Sequence, residues 1–343
     1  MSKPDHLQRT TADPRDKSLH TVILQHIQDV NDTTRIFRLG IPRDSPPIRF
    51  LPGQWLDVYI PGVETAGGFT ITSTPQQARL AHPPVGEGED SAGEKKAPPK
   101  REEGPFLELA VQKSPENPPA AWLYGSSSAI IGQELRVRVG GGFVWPPPGI
   151  NVRSLRRVVF VAGGVGVNPL VSMLSSLASS SSSSAAAPAL EVRFLYSAKD
   201  PGVSEGSAGR NARNILFLER IAQVFHEGRV KGELEVFLTG GDTEEDADTD
   251  GEKGDKDRIT VAGRDNETKD GNNDQGNFTI AFHQRRCTVD ADVAKAVGNP
   301  RFAVVYVCGV PTMTDDFVAK LTGGEAEGGL SIEPHRVLCE KWW

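Results

Sequence analysis

The sequence predicts a β-barrel plus an α/β domain: six antiparallel strands closed on themselves, followed by a doubly wound, five-stranded parallel sheet. Three observations carry this. Six short alternating apolar stretches, punctuated by Gly and Pro, lie between residues 20 and 142. Strand-like and helix-like runs alternate after residue 156. Two of those strands each run into a glycine turn that opens a helix.

Along the chain, residues 1–18 are polar and are expected to be disordered. The barrel domain spans 19–148, with strands at 21–27, 34–39, 54–60, 69–73, 106–111 and 134–139. Residues 82–104, rich in Pro, Gly, Glu and Lys, can bury almost nothing and read as a flexible insertion. The run Trp145-Pro146-Pro147-Pro148-Gly149 cannot continue a central strand, because proline lacks a donor and fixes φ. The domain boundary belongs there.

The second domain spans 156–343. Strands are expected at 157–162, 190–196, 234–239, 303–307 and 332–337, and helices at 169–177, 215–226, 290–297 and 312–321. This alternation builds a parallel sheet with helices on both faces. Two low-complexity stretches, 175–187 (Ser and Ala) and 241–277 (Asp, Glu, Gly, Lys and Asn), read as loops grown out of the fold.

Bulk properties exclude several function classes. The net charge of −7, with Lys and Arg scattered, offers no basic field, so no nucleic-acid partner is expected. No apolar run reaches the roughly 18 residues of a membrane span, and no secretory signal opens the chain. Among the first twenty residues Arg9, Arg15 and Lys17 are balanced by Asp5, Asp13 and Asp16, which is poor material for a transit peptide. A cytoplasmic or mitochondrial protein, not a secreted one, is expected. The three cysteines, Cys287, Cys308 and Cys339, lack the pairing of an iron–sulfur or zinc module, and no metal site is expected.

The two glycine turns carry the chemistry. Gly163-Gly164-Val165-Gly166-Val167-Asn168-Pro169 follows one strand and Cys308-Gly309-Val310-Pro311-Thr312-Met313 another. Glycine admits a ligand close to the backbone, and the free N–H groups of the following helix favour a pyrophosphate. Either turn alone is also an ordinary strand-to-helix corner. Together they outline a nicotinamide site at the carboxyl ends of the strands. With the pyrophosphate on the first loop, the second lies beside the nicotinamide ring, where the Cys308 thiol would position the reactive carbon. A buried thiol at a strand end is the alternative reading.

A barrel followed by GGVGVNP and CGVPTM resembles the ferredoxin–NADP reductase superfamily, whose usual forms are GGxGxxP and CGPxxM, from about residue 20 onward. The ending Cys339-Glu340-Lys341-Trp342-Trp343 is similar to the oxidoreductase NAD-binding-domain-containing group. The resemblance implies an FAD-binding barrel and a nucleotide-binding sheet holding NAD or NADP, with NAD favoured. It places Gly163, Gly164, Val165, Gly166, Asn168, Pro169, Cys308, Gly309, Val310 and Met313 at the nicotinamide nucleotide. Ser197 and Lys199 follow the second strand, where Lys199 would meet a 2′-phosphate and Asp200 would repel one. The flavin motif falls on 67–75: Phe69 takes the stacking position, Thr70 presents a hydroxyl near flavin N5, and Ile71, Thr72 and Ser73 complete the stretch. Gly67 stands where the motif has arginine, and Ala120 where a second element has serine, with Lys113 as a substitute cation. Trp343 or Trp342 would cover the flavin. The implied activity is flavin-dependent NAD(P)H oxidation, with Thr70 and Cys308 at the centre and electrons leaving to an unidentified external acceptor. The alternative is a nicotinamide-nucleotide-binding module with weakened or lost flavin binding.

Overall fold

The computed structural model describes residues 5–79, 104–180, 190–203, 209–240, 258–263, 276–324 and 328–342. The first domain is built from β1 (His20–Asn31), β2 (Thr34–Gly40), β3 (Trp55–Tyr59), β4 (Gly67–Thr70), β5 (Phe106–Gln112) and β6 (Glu134–Gly140), in the order β4-β3-β6-β1-β2-β5. Every named pair is antiparallel. The Ile71–Leu109 bridge and a bond from the Thr72 N–H to the Glu108 carbonyl (2.8 Å) close the barrel between the two edge strands. Alternation fills it: Leu135, Val137 and Val139 point inward from β6 to meet Leu56 and Val58 of β3. Short helices α2 (Pro118–Leu123) and α3 (Ser127–Ile130) cap the barrel, adding Ala120, Leu123 and Ile130 to its core.

The amino-terminal segment is a correction. Residues 1–18 read as disordered, but 5–18 pack against the outer face of the barrel. Asp5 caps the short helix α1 (His6–Arg9) by accepting from the Gln8 N–H at 2.8 Å. His6 then sits over Gly68 and edge-on to Trp55, with ring centroids 4.7 Å apart. The cause is one fully buried carboxylate: Asp57 of β3 meets His6 Nε2 at 3.0 Å, Arg15 Nε at 3.0 Å and Arg138 Nη2 at 2.6 Å. Burial disfavours the charge on Asp57, yet hydrogen bonds from His6, Arg138 and Arg15 outweigh it and hold the carboxyl below its usual range.

The second domain holds β7 (Arg157–Gly163), β8 (Glu191–Lys199), β10 (Lys231–Thr239), β13 (Ala303–Gly309) and β14 (Val337–Lys341), all parallel, in the order β10-β8-β7-β13-β14. On one face α4 (Val167–Ser180) and α5 (Leu218–His226) pack with Phe160, Phe194 and Tyr306. On the other, α6 (Ala294–Val297) and α7 (Pro311–Thr322) pack with Val159, Val161 and Val305. A π-turn over Val289–Val293 precedes α6 inside the stretch expected to be one helix.

Other expectations also shift. The last strand lies at β14 and not at 332–337, because Pro334 opens a 3-10 turn over Pro334–Arg336 and the ladder resumes only beyond it. Helix α4 continues through Ser180, into the stretch read as a loop. Ala and Ser are compatible with helix, and Leu177 and Ala178 still pack on the core. Within 241–277, β11 (Arg258–Val261) pairs with β12 (Phe278–Ala281) and β9 (Arg210–Asn211) in a small third sheet, whose alternation, Ile259 and Val261 on one strand and Phe278 and Ile280 on the other, is too short to stand out from the polar stretch around it. The insertions at 82–103 and 181–187, and the remainder of 241–277 apart from 258–263 and 276–277, lie outside the described residues. Residue 104, at the end of the first insertion, is described and leads into β5. Among the described residues no helix is long and apolar enough to cross a membrane.

The two domains share one core. Phe143 and Trp145 pack with Phe160 and Tyr306, whose hydroxyl donates to the Val144 carbonyl at 2.8 Å. Arg220 of α5 grips Glu108 of β5 bidentately at 2.8 and 3.0 Å.

Candidate functional site

The two glycine turns meet. β7 ends at Gly163, whose register partner on β8 is Ser197, and a 3-10 turn over Gly164–Gly166 leads into α4. Gly164 has φ +54° and open space where a side chain would go. Gly166 has none: a β-carbon there would lie 2.2 Å from the Cys308 carbonyl oxygen. Gly163 and Gly309 face one another so closely that a β-carbon on Gly309 would stand 3.5 Å from the Gly163 Cα. The Met313 sulfur covers both. Gly163, Gly164, Val165, Gly166, Gly309 and Met313 thus form one surface at the carboxyl ends of adjacent strands, with Val310 exposed at its rim.

Other members of the expected set serve the domain interface. Asn168 Nδ2 donates to the Ala110 carbonyl at 2.9 Å, and Pro169 is buried beside it. Cys308 is fully buried, and burial pushes its thiol well above the ordinary range. Enclosed in the core, the thiol presents no surface to a ligand in this arrangement, which is the alternative reading of a buried thiol at a strand end. Lys199 is exposed at the end of β8, while Asp200 is gripped by Arg210 at 2.8 and 2.6 Å. That pair, more than any opposing burial, holds Asp200 below its usual range, so the carboxylate beside Lys199 is ionised but already paired.

The barrel strand departs from its expected role. Phe69 turns inward: its register partner is Leu56, and its ring lies in the barrel core against Gly67 and Pro119, which leaves it 7% exposed. A β-carbon on Gly67 would lie 2.4 Å from that ring and 2.7 Å from Pro119. Ile71 is core as well. Thr70 points to the opposite face, beside Trp55, and its buried hydroxyl has no hydrogen-bond partner. Thr72 donates to Glu108 at 2.8 Å, Ser73 Oγ accepts from the Glu108 N–H at 3.0 Å, and the Ser73 carbonyl accepts from Ser172 of α4 at 2.8 Å. Thr72 and Ser73 are therefore engaged in joining the domains. Ala120 is buried under the barrel, and the exposed Lys113 lies near the Tyr124 ring. Trp343 is outside the described residues.

A cleft of about 480 Å³ opens between the amino-terminal arm, the barrel and β14. Trp55 and Phe143 line it from the barrel, Arg9 and Asp13 from the arm, and Glu340 and Trp342 from the end of β14. The Trp342 N–H donates to the Gly309 carbonyl at 3.0 Å, which ties this wall to the second glycine turn. Glu340 pairs in register with Cys308. Burial, reinforced by the nearby Asp13 charge, pushes the Glu340 carboxyl up to about 8, so it is largely a neutral acid near pH 7. Glu340 Oε2 and Trp342 Nε1 are both buried without a close hydrogen-bond partner, and the Trp342 N–H lies near enough to the Glu340 carboxyl to oppose the effect of burial on it. The arm, Asp57 and Trp55 were absent from the expected set. The only signal was the presence of His6, Arg9 and Arg15 in a segment that otherwise reads as coil.

Residues 155–321 match the family model of the ferric reductase NAD binding domain. The chain is 28% identical to oxidoreductase NAD-binding domain-containing protein 1 of Danio rerio, over 99% of this chain and 98% of that one, and 28% identical to the Bos taurus protein of the same name, over 99% and 86%. Among solved structures it is similar to a ferredoxin NADP⁺ reductase from Neisseria gonorrhoeae with bound FAD and NADP (12% identity, TM-score 0.54, 96% of this chain and 100% of that one). It is also similar to the flavohemoglobin of Malassezia yamatoensis with bound FAD and heme (12% identity, TM-score 0.56). That match covers 98% of this chain, which spans 63% of the flavohemoglobin.

Proposed function

We propose that this chain, which has the fold of the ferredoxin–NADP reductase superfamily and whose second domain is of the ferric reductase NAD-binding family, is an NAD(P)H-dependent flavoprotein reductase that passes electrons to an external acceptor. The observation that carries this reading is the direct packing of the two glycine turns, Gly163–Gly166 and Cys308–Gly309, the second of which is joined through the Trp342 N–H to one wall of the cleft. Backbone at Gly164 is open to a pyrophosphate, while Gly309 and the exposed Val310 lie on the side expected for the ring end. Fixing that geometry is the protein's main contribution, since hydride transfer depends on near-attack placement. When bound, FAD would supply a ring that accepts hydride and releases electrons singly or in pairs. The residues of this chain fit it through three buried polar atoms that lack close partners, Thr70 Oγ1, Glu340 Oε2 and Trp342 Nε1. Glu340, held neutral, can donate as well as accept a hydrogen bond. The choice between NADH and NADPH falls at Lys199 and Asp200: Asp200 is already neutralised by Arg210, which leaves Lys199 as the exposed charge there, and NAD is the reading that the resemblance favours.

The inward Phe69 and the closed position 67 favour a second reading, a nucleotide-binding module with little flavin affinity. Purified protein decides between them. A yellow preparation, or one that turns yellow with FAD and bleaches anaerobically on NADH addition, supports the reductase. Colourless protein that binds NADH and cannot be reconstituted supports the module.

A further inference from the structure

We propose that the amino-terminal arm is part of the flavin site: its Arg9 grips the flavin phosphate, and the arm forms one wall of the cleft that receives the ring. The proposal rests on the flavoprotein reading above and identifies where this chain finds the cation that the barrel strand lacks.

Position 67 cannot supply it. Phe69 and Pro119 occupy the space into which any side chain from residue 67 would project. The phosphate of a flavin nucleotide still requires positive charge or N–H donors. The first turn of α2 offers little, because Asn117 Oδ1 already lies 3.4 Å from the Ala120 N–H and Ala120 itself is buried. The cleft offers more. Of the other basic side chains around it, His6 is bound to Asp57 at 3.0 Å and Lys341 to Asp315 at 2.5 Å. Arg9 is different: among the described residues its guanidinium makes no hydrogen bond or ion pair, and it lies at the rim of the cleft. Its electrostatic neighbour, Asp5, is already occupied as the cap of α1.

The remaining walls suit a planar heteroaromatic ring. Trp55, Phe143 and Trp342 are apolar surfaces, and Glu340 Oε2 and Trp342 Nε1, buried without close partners, match a ring edge that carries both acceptors and donors. Glu340 is held largely neutral, so Asp13 is the one carboxylate charge among the cleft-lining residues that a phosphate at Arg9 must face away from. The arm is held there by structure independent of any ligand, through Asp57 with His6 and Arg15, and Gly68 is the seat that the His6 ring requires.

The test uses the full chain and titrates FAD, FMN and riboflavin by fluorescence quenching, with the thermal midpoint as a control for folding. Arg9→Ala and Arg9→Glu are expected to weaken FAD and FMN by about tenfold or more, as for a lost charge-assisted bond, and to leave riboflavin, which has no phosphate, within about twofold. Equal affinities for FAD in wild type and both variants, with unchanged thermal midpoints, would overturn the proposal while leaving the reductase intact. Equal weakening of riboflavin would overturn the phosphate contact. Tighter FAD binding after removal of residues 2–16 would make the arm an obstruction, not a wall. If the wild type binds NADH but none of the three flavins, the flavoprotein reading itself fails and the arm proposal falls with it.

Discussion

The Cβ position of Gly166 lies 2.2 Å from the carbonyl oxygen of Cys308, so the turn after β7 and the turn after β13 are locked together by backbone contact. Neither motif is an independent nucleotide loop. Each fixes the shape of the other.

Gly166→Ala is therefore expected to push the two turns apart and raise the dissociation constant for NADH at least tenfold, about 1.4 kcal/mol. Gly164→Ala meets no neighbour but keeps a left-handed φ, and is expected to cost about 1 kcal/mol of stability with a smaller loss of binding. Calorimetric titration beside thermal unfolding separates the two. Unchanged binding in folded Gly166→Ala protein would remove the assignment.

Restoring arginine at position 67 is not expected to tighten FAD. The side chain would have to displace Phe69 from the barrel core, an overpacking that costs about 1–3 kcal/mol. Gly67→Arg protein should unfold at lower denaturant concentration, with no gain in FAD affinity. Tighter FAD without a loss of stability would show that Phe69 yields its place readily.

Asp57→Ala leaves His6, Arg15 and Arg138 without their common partner and is expected to cost about 3–5 kcal/mol, with the arm becoming sensitive to protease. The native carboxyl lies below its ordinary value of about 3.9, so its contribution is full above that pH and is lost as pH falls through the native pKa. Urea unfolding should show the gap between wild type and variant closing at acid pH. A constant gap would mean that the charge is not what holds the arm.

Glu340 has the opposite sign. Its native value of about 8 exceeds the unfolded value near 4.3, so between those limits the unfolded chain releases a proton that the folded chain retains. This group lowers stability as pH rises across that range. Glu340→Gln is expected to raise the thermal midpoint at pH 8 more than at pH 4.5, and parallel profiles would refute the burial argument.

Cysteine labelling offers a check on the sheet. Cys287 and Cys308 are buried, with thiols raised by burial, to about 12 for Cys287, whereas Cys339 is exposed. Native protein should take up one equivalent of iodoacetamide at pH 8 and denatured protein three. Rapid labelling of Cys308 would contradict its place at the closed end of β13.

The barrel strands and the central sheet were legible because their periods are local: β6 alternates Leu135, Val137 and Val139 with charged residues, and β13 is continuously apolar as a strand covered on both faces must be. The direction of Phe69 was not legible. A motif specifies which residue occupies a position, but the face is set by pairing with Leu56 on the neighbouring strand. The arm was hidden for a related reason. Its polar composition is that of coil, and the partner that orders it, Asp57, lies 51 residues from His6. Pro334 moved the last strand beyond the stretch 332–337 expected to form it.

The cleft draws Arg9 and Asp13 from near the beginning of the sequence and Glu340 and Trp342 from near its end. The walls of this cavity are thus far apart in sequence, and it is complete only when the arm and β14 are both docked. Either domain expressed alone would lack a wall, and trimming from opposite ends of the chain should produce the same defect.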